Sequence, residues 1–354
     1  MLTIGKIGGQ GKGHWASPSY YSQQVVRGAE DYYAGKGEAP GSWAGTGAGS
    51  LGLEGVIGDG ELEAIFERCH PTTGEQLMRA PGEHGVKGID LQMAVPKSVS
   101  TLWALSEQYG EPEVAGAVWE ATHGAARAAF DYLERNACRS RAGAGGHIDL
   151  DGEGFIGAVF PHRFSRAGDP QVHVHCLVAN MTLSGGEGTG VPRRWRTLNA
   201  HHLYQHQKAA GYLFQAELRE RLTDRLGVEW TEVHKGSAEI VGVPRELALV
   251  LSKRRQQIAE QLERSGRSGS AREAELAALS TRRAKREFDL AEQRLEWRAI
   301  AQEHGFGPNE LAGALGQASV RELDREEIGT VVERLIGEHG ATGERSAFCR
   351  RDLV

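Results

Sequence analysis

The spacing of apolar residues along this chain switches repeatedly between the strand period and the helix period. The clearest strand is predicted over residues 171–181, where Val172, Val174, Cys176 and Val178 lie on one face. Weaker strand patterns occupy residues 2–7, 88–95 and 155–160, and helical spacing occupies residues 98–105, 112–136, 207–226 and much of the chain after 245. Strands and helices are interspersed without a regular β-α-β rhythm, which favours an α+β fold.

Glycine is concentrated near the N-terminal end. The chain holds 48 glycines in 354 residues, roughly twice the usual share, and ten of them lie between residues 35 and 60. We therefore expect residues 34–60 to form a mobile loop. Directly before this segment, Ser17 and Pro18 suit the N-cap and first position of a helix that would run to about Tyr33.

Composition and charge set limits on the class of protein. Hydrophobic residues at 40% and charged residues at 25% are globular values, and the net charge of −6 argues against a uniformly basic nucleic-acid coat. The charge is unevenly distributed, because residues 160–208 carry six Lys/Arg against two Asp/Glu and residues 253–298 carry twelve against eight. The first segment is a candidate phosphate-binding surface, whereas the second is equally well explained as an exposed, ion-paired pair of helices.

The sequence contains no apolar segment of the ~18 residues that span a membrane, and its start lacks the apolar core of a signal peptide. We therefore expect a cytoplasmic protein. The cysteines are far apart and lack a C-x-x-C spacing, so a cysteine-based zinc site is not expected.

Three histidines are the strongest sign of chemistry. His173 and His175 alternate with the valines of the 171–181 strand and therefore point to the same face. His162 ends the preceding strand, and the turn after it can fold it back towards the other two. Three imidazoles in this arrangement can bind one divalent ion and leave positions open for a substrate oxygen.

Other interpretations of the histidines stay open. The two strand histidines can be exposed sheet residues, and H-x-H strands also occur in cupin-type metal enzymes. Cupins generally need a glutamate four or five residues after the second histidine, where this chain has Ala179 and Asn180. A second cluster, His201, His202 and His206, lacks the carboxylate of an H-E-x-x-H motif and is better explained as a helix surface.

Four of the eight tyrosines lie within fourteen residues, as the adjacent pairs Tyr20–Tyr21 and Tyr32–Tyr33. They can be core residues of an amphipathic helix. They can also be nucleophiles, if a cation makes a scissile phosphate electrophilic and a carboxylate takes the phenolic proton. Asp90 is the candidate carboxylate, because its neighbours along the strand would face the core while Asp90 faces the other side.

These segments together resemble a known family. The motif S-Y-Y…G-A-E-D-Y-Y, the block G-I-D-L-Q-M-A-V-P-K-S-V-S at 88–100 and H-R-F-S-R-A-G-D-P-Q-V-H-V-H-C-L-V-A-N-M at 162–181 look like the MobF-type conjugative relaxases, the TrwC and TraI-like group. The later W-R-T-L-N segment is also similar. The resemblance covers residues 1–310 and implies an HUH single-strand endonuclease. Its implied α+β fold has a central antiparallel sheet, the relaxase palm, flanked by helices, with a helical C-terminal extension.

The resemblance implies roles for the histidines and for Asp90. His162, His173 and His175 would bind one divalent metal ion, Mg²⁺ or Mn²⁺, and Asp90 would orient one histidine and assist deprotonation. The candidate DNA-binding residues are Arg163, Arg166, Arg193, Arg194 and Arg196, with Trp195 and Tyr204 as stacking platforms.

The tyrosines are implied to act as nucleophiles. Tyr20 matches the residue that cleaves at the nic site, and Tyr32 matches a tyrosine used in the terminating strand transfer; Tyr21 and Tyr33, adjacent to them, stay candidates. The two pairs are twelve residues apart, four more than in the relaxase used for comparison. Four residues are about one helical turn, so both pairs can still share a face.

The resemblance also implies a domain organisation and a function. Residues 1–310 would form the relaxase domain, with a charged helical segment at 245–305, and residues 311–354 would form a C-terminal extension and the start of a truncated helicase module. The domain would nick DNA at an origin of transfer through a 5′-phosphotyrosyl adduct and then transfer or religate the strand.

The implied partners are DNA, as a hairpin plus a single strand, together with relaxosome accessory proteins and a coupling protein. The chain itself is expected to be a monomer. Two alternative functions stay open: a metal-stabilised DNA-binding module that does not cleave, and a metallohydrolase or oxygenase of small molecules.

Overall fold

The computed structural model describes residues 1–8, 40–82, 84–165, 167–264, 290–320 and 324–336. Its strands are β1 (Leu2–Gly8), β2 (Ser42–Ala44), β3 (Val86–Ala94), β4 (Arg139–Ala142), β5 (Ile148–Asp151), β6 (Gly157–Phe164), β7 (Pro170–Ala179), β8 (Thr182–Gly186) and β9 (Val191–Arg196). Its helices are α1 (Thr46–Ser50), α2 (Glu61–Phe66), α3 (Lys97–Ser106), α4 (Pro112–Ala137), α5 (Ala200–Leu226), α6 (Arg245–Val250), α7 (Lys253–Arg264), α8 (Leu290–Glu303), α9 (Pro308–Gly313) and α10 (Arg325–Ile336).

Five strands form the central sheet, in the order β1-β3-β7-β6-β2. All four pairings are antiparallel, and two separate hairpins, β4–β5 and β8–β9, lie outside this sheet. The predicted α+β fold with a central antiparallel sheet and helices around it is therefore confirmed.

One face of the sheet is covered by α3, α4 and α5. The alternating apolar residues of β7 face these helices and are at most 1% exposed, in a core that includes Leu102, Ala125 and Phe214. Helix α4 begins with Pro112 at its first position, as predicted. Helix α5 begins at Ala200, earlier than its sequence pattern indicated.

The opposite face carries a second, smaller core, built around Trp43, Phe66, Phe160 and Leu177. Part of this core comes from the glycine-rich segment. The expectation that residues 34–60 form a mobile loop is wrong for residues 40–60, the part that the structure describes. There β2 pairs with β6 and the chain continues into α1.

Close packing explains the glycines of this segment. A Cβ atom on Gly41 would stand 2.3 Å from Cε1 of Phe160, and one on Gly45 would stand 2.3 Å from the carbonyl oxygen of Phe155. Gly45 also has a φ of 91°, which L side chains rarely adopt. At these two positions glycine permits the chain to pack directly on the sheet edge.

The helices after residue 245 contribute to the first core. Trp297 of α8 is fully buried there, and so are Phe306, Leu311 and Ala314. The core thus includes residues beyond 310, where the sequence suggested a domain end; that boundary stays a prediction. Within the described ranges, none of the helices combines the length and apolar character that crossing a membrane requires.

Candidate metal centre

The three predicted histidines meet on the second face of the sheet. His162 of β6 is the direct cross-strand partner of His173 of β7, and His175 is two residues further along the same face. The centres of the three rings are 5.0–5.2 Å apart. One ligand nitrogen from each ring lies within 4.8 Å of the others, and in the described part of the chain no other group of three or more His, Cys, Asp or Glu side chains has metal-binding spacing.

Hydrogen bonds orient two of the imidazoles. The Nδ1 of His175 lies 2.8 Å and 2.9 Å from the two carboxylate oxygens of Asp90, and the Nδ1 of His173 lies 2.8 Å from the carbonyl oxygen of Gln171. Carboxylate and carbonyl oxygens accept hydrogen bonds, so each Nδ1 carries a proton, and in the neutral imidazole Nε2 then keeps its lone pair. Metal-binding histidines typically have such a partner on the second ring nitrogen.

Strand register explains why Asp90 reaches His175. On β3, Gln92 is directly opposite His175 and Asp90 is opposite Leu177. Asp90 is therefore the diagonal neighbour of His175 on the same face, within reach across two adjacent strands. The carboxylate is 2% exposed, and a buried carboxylate needs a hydrogen-bonding partner of this kind.

The two strand histidines are not exposed residues of the sheet surface. His173 and His175 are 6% and 8% exposed, so the interpretation that they are exposed sheet residues is wrong. His162, Gln92 and Ala94, on the same face, are half-buried.

The donor set fits a divalent metal ion. Three imidazoles, two of them with oriented Nε2 atoms, supply the ligand number of a catalytic site that keeps a coordination position open. The thiol of Cys176, next to His175, faces the other side of the sheet, where burial raises its pKa. It therefore belongs to the core under the helices and adds no ligand.

Five of the predicted site residues cannot be placed. Tyr20, Tyr21, Tyr32 and Tyr33 lie in the segment 9–39, and Arg166 lies in the turn between β6 and β7; all are outside the described residues. Their roles stay predictions.

Arg163 points away from the histidines. It follows His162 on β6, but its guanidinium carbon lies 5.3 Å from the ring centre of Trp119 on α4. Because α4 covers the opposite face of the sheet, Arg163 and the histidine cluster are on different sides. Its predicted contact with DNA stays a prediction.

The three arginines of β9 have different environments. Arg193 forms two 2.6 Å hydrogen bonds with the carboxylate of Glu153, and this pairing holds the pKa of that carboxyl below its ordinary value. Arg196 is 5% exposed and donates to backbone carbonyls of its own hairpin, including Pro192 at 2.7 Å. Arg194 is exposed. Their predicted role in DNA binding is not tested by these positions.

Arg194 lines a cleft of about 650 Å³ beside β9. The cleft also contains Arg141, the indole of Trp195 and the amide of Asn199, above the apolar side chains of Leu77 and Met78. The described residues that line it include no carboxylate. Asn199 belongs to the W-R-T-L-N segment noted in the sequence. Arg141 and residues 77–78 had no signal of their own, because they are far from that segment, and from each other, along the chain.

The second histidine cluster lies on α5, as its helical interpretation predicted. The Nε2 of His202 is 3.2 Å from a carboxylate oxygen of Asp149, and the Nδ1 of His206 is 2.9 Å from the hydroxyl of Tyr132. The charged segment 253–298 is also partly paired, through Lys253 with Glu296 and Arg294 with Glu107.

Comparison with known proteins agrees with this geometry. Residues 16–304 match the family model described as TrwC relaxase. Two relatives are Multifunctional conjugation proteins TraI of Escherichia coli. The one from strain K12 is 29% identical over 324 residues, and the other is 30% identical over 306 residues. These matches cover 86% and 81% of this chain, but only 16% of each relative's length.

The fold is shared with solved structures. The metal-bound conjugative relaxase TrwC in complex with OriT DNA superposes with a TM-score of 0.70 at 24% identity, covering 87% of this chain and 100% of that chain. TrwC complexed with a 27-mer DNA, comprising the recognition hairpin and the cleavage site, gives a TM-score of 0.67 at 24% identity and the same coverage.

Proposed function

Because this chain belongs to the TrwC relaxase family, we propose that it is a site- and strand-specific DNA transesterase that nicks an origin of transfer in conjugation. The observation that carries this proposal is the cluster of His162 with the buried His173 and His175, with Asp90 behind His175. Burying imidazole and carboxylate groups costs free energy that apolar side chains in the same positions would not cost, so packing alone does not account for them.

The proposed reaction exchanges one phosphodiester for another. The phenolic oxygen of Tyr20 forms a bond to the scissile phosphorus, the bond from phosphorus to the 3′ oxygen breaks, and the phenolic proton leaves to a base while the 3′ oxygen takes up a proton. The 5′ end of the strand then stays on the tyrosine. Reversal with a second 3′-OH transfers or religates the strand, and no external energy source is required.

His162, His173 and His175 would hold a divalent cation, which would supply the electrophilic part of this chemistry. A divalent cation held by the three histidines would withdraw charge from the scissile phosphate. We propose Mg²⁺ or Mn²⁺ as the ion; imidazole ligands also suit softer divalent ions, so the assay below includes more than one metal. Asp90 keeps the ring of His175 in the orientation that offers Nε2, and its predicted help in deprotonation is part of the proposal.

Chain length is compatible with the proposed nucleophile. Gly8 is opposite Val86, six residues along β3 from Gln92, which is opposite His175; that separation is about 20 Å. The twelve residues from Gly8 to Tyr20 reach up to about 40 Å when extended. At the other end of the segment, Gly41 packs on Phe160, the cross-strand partner of His175.

The proposed DNA-binding surface includes the cleft beside β9. Arg141 and Arg194 would contact phosphates there, and Trp195 would stack on a base. Arg193 and Arg196 already have partners within the protein, so we assign them a smaller share of the binding energy. Arg163 and Arg166 stay candidates on the basis of the resemblance.

The remaining expectations follow from the same proposal. A conjugative relaxase works on DNA inside the donor cell, which supports a cytoplasmic location. We also propose that the chain acts as a monomer and that its protein partners are relaxosome accessory proteins and a coupling protein. The relatives are much longer than this chain, and we propose that residues 1–310 act as the relaxase domain of a multidomain protein.

An adduct assay tests the function. The purified chain is incubated with single-stranded oligonucleotides that span the origin of transfer of its own genetic element, with Mg²⁺, Mn²⁺ or Zn²⁺, and the covalent product is detected by denaturing electrophoresis. We expect an adduct that EDTA prevents. We expect the double variant Tyr20→Phe/Tyr21→Phe to lose it, and Tyr212→Phe, which changes a half-buried tyrosine of α5, to keep it.

Three other outcomes have defined meanings. A normal yield of adduct in Tyr20→Phe/Tyr21→Phe would refute the nucleophile assignment. Single Tyr32→Phe and Tyr33→Phe variants that nick normally but fail in strand transfer would support the second pair's role. Hairpin binding with no adduct under any metal would favour the non-cleaving DNA-binding module.

A further inference from the structure

The turn between β6 and β7 connects two of the three metal-binding histidines. His162 precedes it and His173 follows it. The turn is a unit of its own, because the Ser165 amide donates to the Asp169 carbonyl at 2.9 Å and the Asp169 amide donates back to the Ser165 hydroxyl at 3.1 Å. A displacement of this turn therefore moves the ends of both strands together.

A tryptophan from the C-terminal helices holds this turn. The indole Nε1 of Trp297, on α8, donates to the carbonyl oxygen of Gly168 at 3.1 Å, across 129 residues of chain. The Trp297 ring also packs against Phe164, two residues after His162, with ring centres 5.8 Å apart. Trp297 is 0% exposed, so this hydrogen bond is shielded from solvent.

Helix α3 holds the following residues from the same side. The ammonium of Lys97 donates to the Pro170 carbonyl at 2.8 Å, and the hydroxyl of Ser100 accepts from the Val172 amide at 3.1 Å. Between these two points lies Gln171, whose carbonyl oxygen orients His173. The carbonyl that sets the ring orientation of a metal ligand is thus held in place by side chains outside the sheet.

We propose that Trp297 is a positioning residue of the metal centre: its hydrogen bond to Gly168 holds the turn that closes the β6–β7 hairpin directly beyond the His162–His173 pair. This inference rests on the proposed metal centre and is independent of DNA cleavage. A core role alone would need only the shape of the indole, whereas positioning needs its N–H. The two roles can therefore be separated by removing the N–H and keeping the ring.

The test uses the full chain and two matched variants. Trp297→Phe keeps an aromatic ring and removes the donor. Trp230→Phe makes the same change at a half-buried tryptophan whose Nε1 donates to the Thr223 hydroxyl at 2.9 Å. Affinity for Mn²⁺ is measured by calorimetry without DNA, the visible spectrum of bound Co²⁺ reports ligand geometry, and urea unfolding in EDTA reports stability.

We expect Trp297→Phe to weaken Mn²⁺ binding about three- to tenfold, less than the loss of a direct partner of a ligand, and to shift the Co²⁺ spectrum. We expect Trp230→Phe to leave both unchanged while it, too, loses stability. If Trp297→Phe does not fold, site-specific replacement by 3-benzothienylalanine keeps the bicyclic shape and still lacks the N–H.

Two results overturn the proposal. Wild-type affinity and an unchanged Co²⁺ spectrum in the Trp297 variant would limit this residue to a core role. Equal weakening in Trp230→Phe would attribute the effect to general destabilisation. If the wild-type chain binds neither ion, the metal centre itself is refuted together with this inference, and the DNA adduct assay is not involved in that result.

Discussion

Along β7, both faces of the central sheet are buried, but they differ in what their side chains require. Along β7, Val174 faces the helices and His175 faces the second core, and both are at most 8% exposed. The valine is satisfied by close packing, whereas the imidazole needs a partner for each ring nitrogen, and Asp90 supplies one of them. Burial alone therefore does not identify the site; the pattern of polar partners does.

The same difference explains how each face tolerates change. Packing is spread over many contacts, so the helix side loses stability in proportion to the atoms removed. The histidine side depends on a few directed bonds, so a single change there is expected to remove metal binding, which no single change on the helix side would do.

The largest expected effect comes from adjacent residues on β7. We expect His175→Ala to weaken Mn²⁺ binding by more than about 100-fold, because it removes a ligand rather than the partner of one. We expect Val174→Ala to leave Mn²⁺ affinity unchanged and to lower the free energy of unfolding by about 2 kcal/mol. Calorimetric titration and urea unfolding in EDTA measure the two quantities. Retention of metal affinity in His175→Ala would contradict the assignment of the centre.

A smaller effect is expected from the residue behind the ligand. Asp90→Asn keeps the size of the side chain but removes the charge that favours the oriented imidazole. We expect metal affinity and nicking rate to fall about 10- to 100-fold. The matched control on the helix side is Thr122→Val, which removes a buried 2.7 Å hydrogen bond to the Val118 carbonyl. The distinction between the faces fails if this control weakens metal binding as much as Asp90→Asn does.

The histidine cluster was predictable because strands have a period of two. Alternation along β7 placed His173 and His175 on one side, the short turn brought His162 back, and alternation along β3 brought Asp90 to the same face. Each inference needed only neighbouring residues and one strand pairing. Such local rules are strong wherever one face of a strand is apolar.

The rest of the site depends on contacts between distant parts of the chain. The cover over the second face was missed because glycines that pack against Phe160 and Phe155 look, in sequence, like those of a loop. The direction of Arg163 depends on the register shift between His162 and Phe164. The contact of Trp297 with Gly168 has no local pattern at all, since 129 residues separate the two.

The close packing of glycines on the second face can be tested by its effect on stability. We expect Gly41→Ala to lower the free energy of unfolding by about 1–3 kcal/mol, because the added methyl would overlap the Phe160 ring. Gly49→Ala, in α1, is the control: nothing lies within 4 Å of its Cβ position. There the change should be neutral or stabilising by up to about 1 kcal/mol. Equal effects in urea unfolding would show that the segment is loosely packed after all.

The smallest expected effect concerns Lys97, which joins the helix side to the strand that bears the histidines. Its ammonium donates to Pro170 and Leu251 carbonyls, at 2.8 Å and 2.9 Å. Burial lowers its pKa from 10.5 to about 8, against the opposing influence of the Asp169 and Glu239 carboxylates. Below pH 8 the lysine is protonated in both the folded and the unfolded chain. Between about pH 8 and 10.5 only the unfolded chain keeps the proton, so stability due to Lys97 should rise with pH.

Two variants isolate this rise from other titrations. The difference in free energy of unfolding between wild type and Lys97→Met should increase from pH 8 to 10.5, because methionine does not titrate. The difference between Lys97→Met and Lys97→Arg should stay constant, because the guanidinium keeps its proton throughout that range. The neutral amine still has two N–H groups for its two carbonyl partners, so the strand that bears the histidines should stay in place. The metal affinity of the wild type should therefore not fall as Lys97 loses its charge. If the difference in free energy of unfolding between wild type and Lys97→Met declines with pH, the carboxylates of Asp169 and Glu239 outweigh the effect of burial on the pKa of Lys97. Lys97 would then stabilise this side of the sheet as a charge rather than as a hydrogen-bond donor.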